Sequence, residues 1–535
     1  MKRRLDMGRQ VLLNLLIVLG CLGLYGSVAV AKPLPQENDD EVHLTIIHMN
    51  DVYEIMPVSG GTLGGVARVA TLKQELLAEN PNTILTVSGD VHGPSGLGLA
   101  VVDGEPLAGK QNVAALNQIG IDYFTFGDHE FDIYTGAQHL ARLAETEFPM
   151  ISSNVFAADK APLPGVQAND IFTVTNGAGK SVRVGVFGIT EPIPRSAVPL
   201  SYVSHIAAAE EQVALLAPQV DMLIALTHFG VDIDQDTARR FPDIDLILGG
   251  DDHEHMKVEP GPDLATIFKA DSNARSVQVI DLYYNTASGE LRIEDRLQPI
   301  TDATADDPAT QAEVAHWAEI AYEGFRAQGI EPTEVVAVPT VDLDGFANSI
   351  RNGPTEFTRL MLNGINATAT DPELSLMFSA LIRMDDVIPA GGEFTMYDVI
   401  RTFPNNFDIV SVDVPGAALN GILSFGAQSA GSGQFILTTD NVTQDAAGAW
   451  LIDGQPVENT RIYRVGTTAE AAAGFANFGV TIAQTHELDL QQLLIQQLQT
   501  TFPPIEETSP EAAKELTPWE QFVEEFYRWL VSDPE

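Results

Sequence analysis

Short apolar segments recur between residues 42 and 300, and segments in which apolar residues return every three or four positions lie between them. The short segments predict strands that are buried on both faces. The intervening segments GVARVATLKQELLAEN and AAEEQVALLA have the spacing of amphipathic helices. This alternation predicts an α/β domain over residues 42–302.

The predicted strands end in side chains of one chemical kind. In open α/β sheets, binding sites form outside the carboxyl ends of the strands, where one site can collect side chains from several strands. The strand-end residues are Asp51, Asp90, Asp128, His129, His228, Asp251 and His253. Any one of them alone is more often a turn residue, a helix cap or a hydrogen-bonded histidine. Their repetition at successive strand ends predicts a shared site of carboxylates and imidazoles.

Near residue 302 the chain becomes rich in Asp and Pro and then regains a helical pattern. The segment QAEVAHWAEIAYEGFRAQG predicts a linker helix within residues 303–332. A second α/β domain is expected over residues 333–500. Residues 501–535 predict a linker and an amphipathic tail helix, whose docking on its own chain is favoured over docking on a partner.

Residues 1–31 predict an export signal that is cleaved after Ala31. A basic start precedes the apolar run VLLNLLIVLGCLGLYG, which is too short for a comfortable membrane span, and AVA precedes the predicted cleavage point. We therefore expect a periplasmic or extracellular protein with no stable membrane span after cleavage. The alternative is a lipoprotein anchored at Cys21. Because Cys21 is the only cysteine, the folded part has no disulfide or thiolate metal site.

The chain is strongly acidic, with 29 Lys and Arg against 74 Asp and Glu and a formal net charge of −45. Such a surface repels polymeric nucleic acid and anionic membranes, so neither is an expected partner. A small anionic substrate would need local positive charge from metal ions or arginines. A monomer is the expected state.

Asp and His are also the residues that hold divalent metal ions. Two such ions about 3.5–4 Å apart can clamp a phosphoryl group and activate water near neutral pH. The strand-end residues therefore supply ligands for two divalent metal ions, with Mn, Mg, Ca and Zn all open as candidates.

The order of the motifs resembles that of one known family. The motifs are IIHMNDVYEI, VSGDVHG, GDHEFD, IALTHFG and LILGGDDHE. They resemble the exported 5′-nucleotidase family of calcineurin-like metallophosphoesterases, and ALIRMDDVIPAGGEFTMYDVIRTFP is similar to the C-terminal substrate-binding domain of that family. The resemblance extends over roughly residues 43–480. It implies a four-layer α/β/β/α metallophosphoesterase domain, a separate α/β C-terminal 5′-nucleotidase-type domain and a dinuclear metal centre.

The resemblance also implies a role for each strand-end residue. Asp90 would bridge the two ions, and Asp51 and His253 would hold one of them. The other ion would be held by Asp128, His228 and Asp251. His129, oriented by Asp132, would stabilise the transition state or protonate the leaving group.

The chain departs from the family pattern at three of these positions. Tyr53 stands where most members have histidine, Asp128 where they have asparagine, and Asp251 where they have histidine. The added carboxylates favour harder ions such as Mn, Mg or Ca over zinc. A different ligand pair, His253 and His255, restores the family's His-x-His spacing, but the gapless pair Asp251 and His253 is preferred.

On the substrate side, Arg383 matches the family arginine that grips the anionic end of the substrate, and Arg351 lies near another such position. The family holds the base between two aromatic rings. Phe407 and Phe475 are the candidates for these rings, although Phe478 is an alternative and each is also a candidate core residue.

We therefore expect an exported, metal-dependent phosphoester hydrolase that acts on a small anionic substrate of the nucleotide class. Two alternatives remain open from the sequence. One is a related hydrolase of cyclic nucleotides, UDP-sugars or sulfur esters. The other is a ligand-binding relative with attenuated catalysis, because three ligand positions and the base clamp are altered.

Overall fold

A computed structural model describes residues 39–132, 135–192, 196 and 198–503. The predicted export signal, Cys21 and the predicted tail helix lie outside the described residues. Within those ranges, no helix combines the length and apolar character that crossing a bilayer requires.

Two mixed sheets form the N-terminal part of the chain. Their strands are, in chain order, β1 (Glu41–Asn50), β2 (Thr83–Ser88), β3 (Tyr123–Thr125), β4 (Met150–Ile151), β5 (Val166–Gln167), β6 (Asn169–Thr175), β7 (Ser181–Thr190), β8 (Met222–His228), β9 (Leu246–Gly249), β10 (Met256–Val258), β11 (Thr266–Lys269), β12 (Ser276–Asn285) and β13 (Leu291–Pro299). The spatial order is β5-β4-β3-β2-β1-β12-β13 in the first sheet and β6-β7-β8-β9-β11-β10 in the second.

Helices alternate with these strands, as the sequence pattern predicts. They are α1 (Val66–Glu79), α2 (Lys110–Ile119), α3 (His129–Asp132), α4 (Gly136–Glu145), α5 (His205–Leu216), α6 (Val231–Arg240) and α7 (Pro308–Ala327). The helix α7 lies within the predicted linker, and its Val314, Ala321 and Phe325 join the core beside the first sheet. The boundaries drawn at 302 and 333 remain predictions.

The alternation of side chains along β1 shows how the layers are built. Leu44 and Ile46 enter a core that is shared with β7, β8 and β9, so the two sheets pack face to face. Ile47 and Met49 enter a second core with α1 and α2. On the outer face of the second sheet, Phe187 packs with residues of α5 and α6. Because neighbouring strand residues face opposite sides, one strand serves both layers, and the predicted α/β/β/α order is confirmed.

The C-terminal part contains a third sheet with helices on both faces. Its strands are β14 (Leu374–Phe378), β15 (Asp408–Pro415), β16 (Ile436–Thr438), β17 (Ile462–Thr468) and β18 (Thr481–Asp489), in the order β16-β14-β17-β15-β18. The helices are α8 (Ala347–Ile350), α9 (Glu356–Thr368), α10 (Met396–Thr402), α11 (Gly416–Gln428), α12 (Ala469–Gly474) and α13 (Leu490–Thr501). The helices α9 and α13 share one core with this sheet, and α11 and α12 share the other.

Short strands complete the described structure. Five pairs are Pro57–Val58 with Leu63–Gly64, Val101–Val102 with Glu105–Pro106, Val155–Ala157 with Leu200–Tyr202, Val335–Ala337 with Phe394–Thr395, and Leu343–Asp344 with Val387–Ile388. In a three-stranded sheet, Trp450–Ile452 lies between Val442–Gln444 and Gln455–Pro456.

The carboxyl ends of parallel strands from the two large sheets meet. Strands β1, β2 and β3 run parallel, as do β7, β8 and β9. A side chain at Gly89, after β2, would place Cβ 2.3 Å from Nδ1 of His228, at the end of β8. A side chain at Gly250, after β9, would place Cβ 2.3 Å from the carbonyl oxygen of Ser88. Glycine at both positions therefore lets the strand ends of the two sheets approach each other.

A substitution at Gly188 would test how tightly the two sheets pack. A Cβ at this position in β7 would lie 2.3 Å from the carbonyl oxygen of Ile151 and 2.5 Å from Oγ1 of Thr125. We expect Gly188→Ala to lower stability by about 1–3 kcal/mol, because backbone atoms must shift. Gly421→Ala is the control, since Gly421 lies inside α11 with no heavy atom within 4 Å of its Cβ position, and alanine there should stabilise by about 0.5–1 kcal/mol. Thermal unfolding measures both, and an unchanged melting temperature for Gly188→Ala would contradict the close packing.

Candidate metal centre

The predicted strand-end residues converge at this meeting of the sheets. Potential ligand atoms form two groups, each with its atoms within 4.8 Å of one another. One group consists of Asp51, Asp90 and His253, and the other of Asp90, Asp128 and His129. Asp90 belongs to both groups, as expected of a carboxylate that lies between two cation positions.

The local backbone turns these side chains into the site. Asp51, Asp90, Asp251 and His253 all have positive φ, at 54°, 58°, 77° and 62° respectively. This left-handed region is unfavourable for residues other than glycine and costs about 1–3 kcal/mol for each residue. Asp tolerates it better than most residues. Backbone strain of this kind gathers at functional sites, where the surrounding structure holds it in place.

His228 presents a buried nitrogen to the carboxylates. Its ring is fully buried, and Nδ1 donates a hydrogen bond of 2.9 Å to the carbonyl oxygen of Ser88. Nε2 lies 3.5 Å from Oδ2 of Asp90, 3.7 Å from Oδ1 of Asp128 and 3.9 Å from Oδ1 of Asp51. Among the described residues, this Nε2 has no hydrogen-bond partner. A buried imidazole nitrogen that faces carboxylates and lacks a partner fits a metal site, because neutral imidazole is a common metal ligand.

Tyr53 occupies the centre of the first group. Its hydroxyl oxygen lies 2.7 Å from Oδ2 of Asp90, 3.2 Å from Oδ1 of Asp51 and 3.0 Å from Nε2 of His253. Burial, together with the charges of Asp90 and Asp51, raises the pKa of the Tyr53 phenol well above its usual value. The sequence marks this position only as a departure from the family histidine. The structure brings the phenol oxygen into contact with all three predicted ligands.

The structure separates the two candidate histidines of the GGDDHEH segment. His253 is buried beside Asp51, with Nε2 3.4 Å from Oδ1. His255 has a half-exposed side chain, and its Nδ1 lies 3.2 Å from Oδ1 of Asp271. His253 thus lies in one of the two groups of ligand atoms, and His255 lies in neither within the described residues. The ligand pair itself remains a prediction.

The structure gives less support to the roles predicted for Asp251 and Asp132. The backbone N–H of Asp251 donates to Oδ2 of Asp51 at 3.0 Å. The carboxylate of Asp251 belongs to neither group of ligand atoms in the described residues. Burial and the charge of Asp128 raise the pKa of Asp251, against the opposing effect of His228. The side chain of Asp132 lies outside the described residues, so its proposed action on His129 remains a prediction.

The next carboxylate of the same segment, Asp252, pairs with a buried lysine. Lys269 ends β11 and is fully buried, and its Nζ lies 2.5 Å from Oδ2 of Asp252 and 3.0 Å from Oδ2 of Asp234. Nζ also donates to the carbonyl oxygen of Gly250 at 2.8 Å. Lys269 therefore neutralises part of the negative charge directly behind the metal candidates. This role could not be predicted from the sequence, because the lysine ends an apolar strand.

A second buried residue that the sequence motifs did not single out is Glu130. Its carboxylate accepts hydrogen bonds from the backbone N–H groups of Asp90, Val91, His92 and Gly127, at 3.0, 2.8, 3.0 and 2.6 Å. These bonds fix the loop that carries Asp90. The position of Glu130 within the GDHEFD motif is the sequence feature that could have indicated this role.

The electrostatics of the centre reflect a shortage of positive charge. Burial and the neighbouring Asp128 raise the pKa of Asp90. Burial opposes a charge on His228, yet Asp90 and Asp51 raise the pKa of this imidazole well above its usual value. Burial and the charges of Asp251 and Asp128 raise the pKa of Glu191, at the end of β7, to about 7. Burial opposes the charge of Asp51 and Asp128, yet the charge of His228 helps to lower the pKa of both carboxyls. Protons are thus held by some groups of the centre and not by others, and a bound cation would take over their role.

Arg383 of the C-terminal part reaches the centre. Its guanidinium lies 5.0 Å from the ring centroid of Tyr53. Nη2 of Arg383 is buried and has no hydrogen-bond partner in the part of the chain that the structure describes. The other predicted arginine, Arg351, lies close enough for its charge to lower the pKa of Asp251, which burial raises. An arginine donor without a partner beside a cation site is suited to an anionic ligand.

The predicted base-binding phenylalanines have different surroundings. Phe475 is buried in the core of the third sheet, with its ring centroid 5.2 Å from that of Phe378. Phe407 is partly buried and lines a surface groove of about 440 Å³. Phe478 is 63% exposed. The structure thus leaves Phe407 accessible from a groove and holds Phe475 in a core contact.

Comparison with known proteins gives the same class of domain. Residues 44–255 match the calcineurin-like phosphoesterase family. The chain is 27% identical over 352 residues to a 5′-nucleotidase of Bos taurus, and the match covers 58% of this chain and 57% of the bovine protein. The chain therefore spans a little over half the length of the curated relatives of this kind.

Two solved structures share the fold over most of the chain. A 5′-nucleotidase precursor from Thermus thermophilus matches with a TM-score of 0.69 at 20% identity and covers 86% of this chain and 97% of its own. The sulfate thiohydrolase SoxB of Thermus thermophilus matches with a TM-score of 0.68 at 15% identity, with 88% and 96% covered. These structures show a shared fold, which agrees with the match of residues 44–255 to the calcineurin-like phosphoesterase family, so the resemblance seen in the motifs is confirmed.

The buried lysine gives a prediction about stability. Lys269→Met would leave Asp234 and Asp252 without their cation, so we expect a loss of about 3–5 kcal/mol. Lys257→Met is the matched control, because Lys257 makes a 2.7 Å pair with Asp295 at the surface, and its loss should cost at most about 1 kcal/mol. Thermal unfolding of the two variants at pH 7 is the measurement. Equal melting temperatures would show that Lys269 does not neutralise the segment.

Proposed function

We propose that the chain is a metal-dependent phosphoester hydrolase that acts on small nucleotide-type substrates. The observation that carries the proposal is the sharing of Asp90 between two groups of ligand atoms, with the unpartnered Nε2 of His228 facing the same carboxylates. The calcineurin-like phosphoesterase domain over residues 44–255 supports the class of reaction. The 5′-nucleotidase name of the bovine relative supports the substrate class.

The two groups of ligand atoms support a proposal of two cation positions. Asp51, Asp90 and His253 would hold one divalent ion, with the Tyr53 hydroxyl among them. Asp90, Asp128 and His228 would face the other, with Asp251 alongside. When bound, such ions lower the pKa of water and neutralise phosphate charge. The carboxylate-rich set and the phenol oxygen favour Mn, Mg or Ca over zinc.

The chain's own side chains would orient the substrate. Arg383 would bind the anionic end, since its Nη2 is buried and has no hydrogen-bond partner. A ring nitrogen of His129 belongs to the same group of ligand atoms as Asp90 and Asp128. This ring would stabilise charge or give a proton to the leaving oxygen. Phe407 would contact the base from its groove. Each of these roles is part of the proposal.

Export and substrate identity complete the proposal. The composition of residues 1–31 supports export to the periplasm or the medium, and a monomer is part of the proposal. Hydrolysis of cyclic nucleotides, UDP-sugars or sulfur esters is the second candidate, since a sulfate thiohydrolase shares the fold. Assays of AMP, 2′,3′-cyclic AMP, a UDP-sugar and bis-nitrophenyl phosphate with each metal separate these candidates. Stoichiometric metal binding without turnover of any ester would instead identify a ligand-binding relative.

Removal of the shared carboxylate tests the enzyme directly. We expect Asp90→Asn to lower kcat/KM by more than the roughly 10–100-fold that is typical when a group supporting a ligand is lost. A chelator should abolish the activity of the unsubstituted chain, and Mn or Mg should restore it. Asp295→Asn, which changes a surface carboxylate, is the control and should keep full activity. Activity that survives both chelation and Asp90→Asn would rule out the proposed centre.

The arginine provides a separate test of substrate binding. We expect Arg383→Ala to raise KM for a nucleotide monophosphate, because a charged hydrogen bond contributes about 1.5–3 kcal/mol. Arg326→Ala serves as the comparison, since Arg326 pairs with Glu319 and Glu331 at the surface. Steady-state kinetics at saturating metal measures both variants. If Arg383→Ala has the KM of the unsubstituted chain, Arg383 does not bind the substrate.

A further inference from the structure

The metal candidate His253 is held from the other part of the chain. Its Nε2 faces Tyr53 and Asp51. Its second ring nitrogen, Nδ1, lies 3.1 Å from Oδ2 of Asp385, which follows α8 and β14 in the C-terminal part. Ligand histidines usually bind a carboxylate or carbonyl through their second nitrogen, and this bond fixes the tautomer and the ring orientation.

Asp385 is itself rigidly placed. The residue is 4% exposed. Its Oδ1 accepts a 2.8 Å hydrogen bond from the backbone N–H of Ala347, and its Oδ2 accepts one from the hydroxyl of Ser272. Nη2 of Arg275 lies 3.8 Å from Oδ1 and donates to the carbonyl oxygen of His253 at 3.2 Å. The carboxylate therefore joins residues of both parts of the chain directly behind one metal candidate.

The neighbours of Asp385 make further contacts across the same boundary. Arg383 lies over the Tyr53 ring at 5.0 Å. Asp386 accepts a 2.9 Å hydrogen bond from the backbone N–H of Ser59 and a 2.6 Å bond from Nη2 of Arg401. The segment 383–386 thus carries both the proposed anion-binding arginine and the carboxylate that orients a metal candidate.

We propose that Asp385 is a positioning residue for the metal centre, and that it makes metal affinity depend on the placement of segment 383–386 against the N-terminal part. The inference rests on the proposed function, because it requires His253 to bind a metal ion. Within the described residues, Asp385 belongs to neither group of ligand atoms, so it would act through Nδ1 of His253. Since a coupling between two binding events is reciprocal, metal binding would in turn hold the segment in place.

A double-mutant cycle isolates this role. We expect Asp385→Ala to weaken Mn binding, measured by calorimetric titration of the full chain, by about 10–100-fold. In a His253→Ala background the same substitution should have almost no further effect on Mn affinity, because the imidazole that Asp385 orients is absent. A general structural defect would lower affinity equally in both backgrounds and would overturn the proposal. Asp385→Asn keeps an acceptor oxygen, so its loss of Mn affinity should be smaller. If Asp385→Ala fails to fold, the same double-mutant cycle is measured with Asp385→Asn.

A matched aspartate–histidine pair provides the control. His255 and Asp271 make a similar contact, with Nδ1 and Oδ1 3.2 Å apart, but His255 lies outside both ligand groups. Asp271→Ala should leave Mn affinity unchanged. If it lowers affinity as much as Asp385→Ala does, the effect of Asp385 is not specific to His253.

Hydrogen exchange tests the reciprocal effect. Mn should slow amide exchange across residues 383–386 in the unsubstituted chain and should have a smaller effect in Asp385→Ala. Equal protection in the two chains would overturn the coupling. A chain that binds no divalent ion at all would refute the proposed function itself, whereas normal Mn binding by Asp385→Ala would refute only the present inference.

Discussion

The structure depends on the burial of several carboxylates in one place. Asp51 and Asp90 are almost fully buried, and Asp128 and Asp251 lie beside them. Each buried carboxylate costs free energy unless a cation or hydrogen bonds compensate. Lys269 compensates Asp234 and Asp252, and Arg383 lies over Tyr53, but neither cation lies among the ligand atoms themselves. A bound cation would compensate the remaining negative charge.

The layered fold is what allows this concentration of charge. Apolar residues of β1, β7, β8 and β9 fill the space between the sheets, so the polar residues appear only where these strands end. Close approach at Gly89 and Gly250 brings the ends of the two sheets together. Positive φ at Asp51, Asp90 and His253 then turns the side chains inward. Core packing thus supplies the stability that holds a strained, charged edge.

The sequence predicts the fold class and most members of the centre, because both follow from local patterns. Apolar segments with terminal Asp or His residues reveal the strands and the edge at which they end. Tyr53, Lys269 and Asp385 were not assigned to the centre, since their roles arise from contacts such as Lys269 with Asp234 and Asp385 with His253. Such contacts join segments that are distant along the chain and depend on side-chain direction. For the same reason, the sequence could not predict that Asp251 lies outside both ligand groups of the described residues.

The contacts of the C-terminal part explain why a metal site and an anion site would share one boundary. Asp386 is fully buried and is fixed by Arg401, so the position of segment 383–386 follows from a buried ion pair. The same four residues present Arg383 to Tyr53 and Asp385 to His253. A movement that withdrew Arg383 from a bound anion would therefore also disturb the hydrogen bond behind His253. Under the proposed function, recognition of the substrate and support of the metal centre would thus be joined through one short segment.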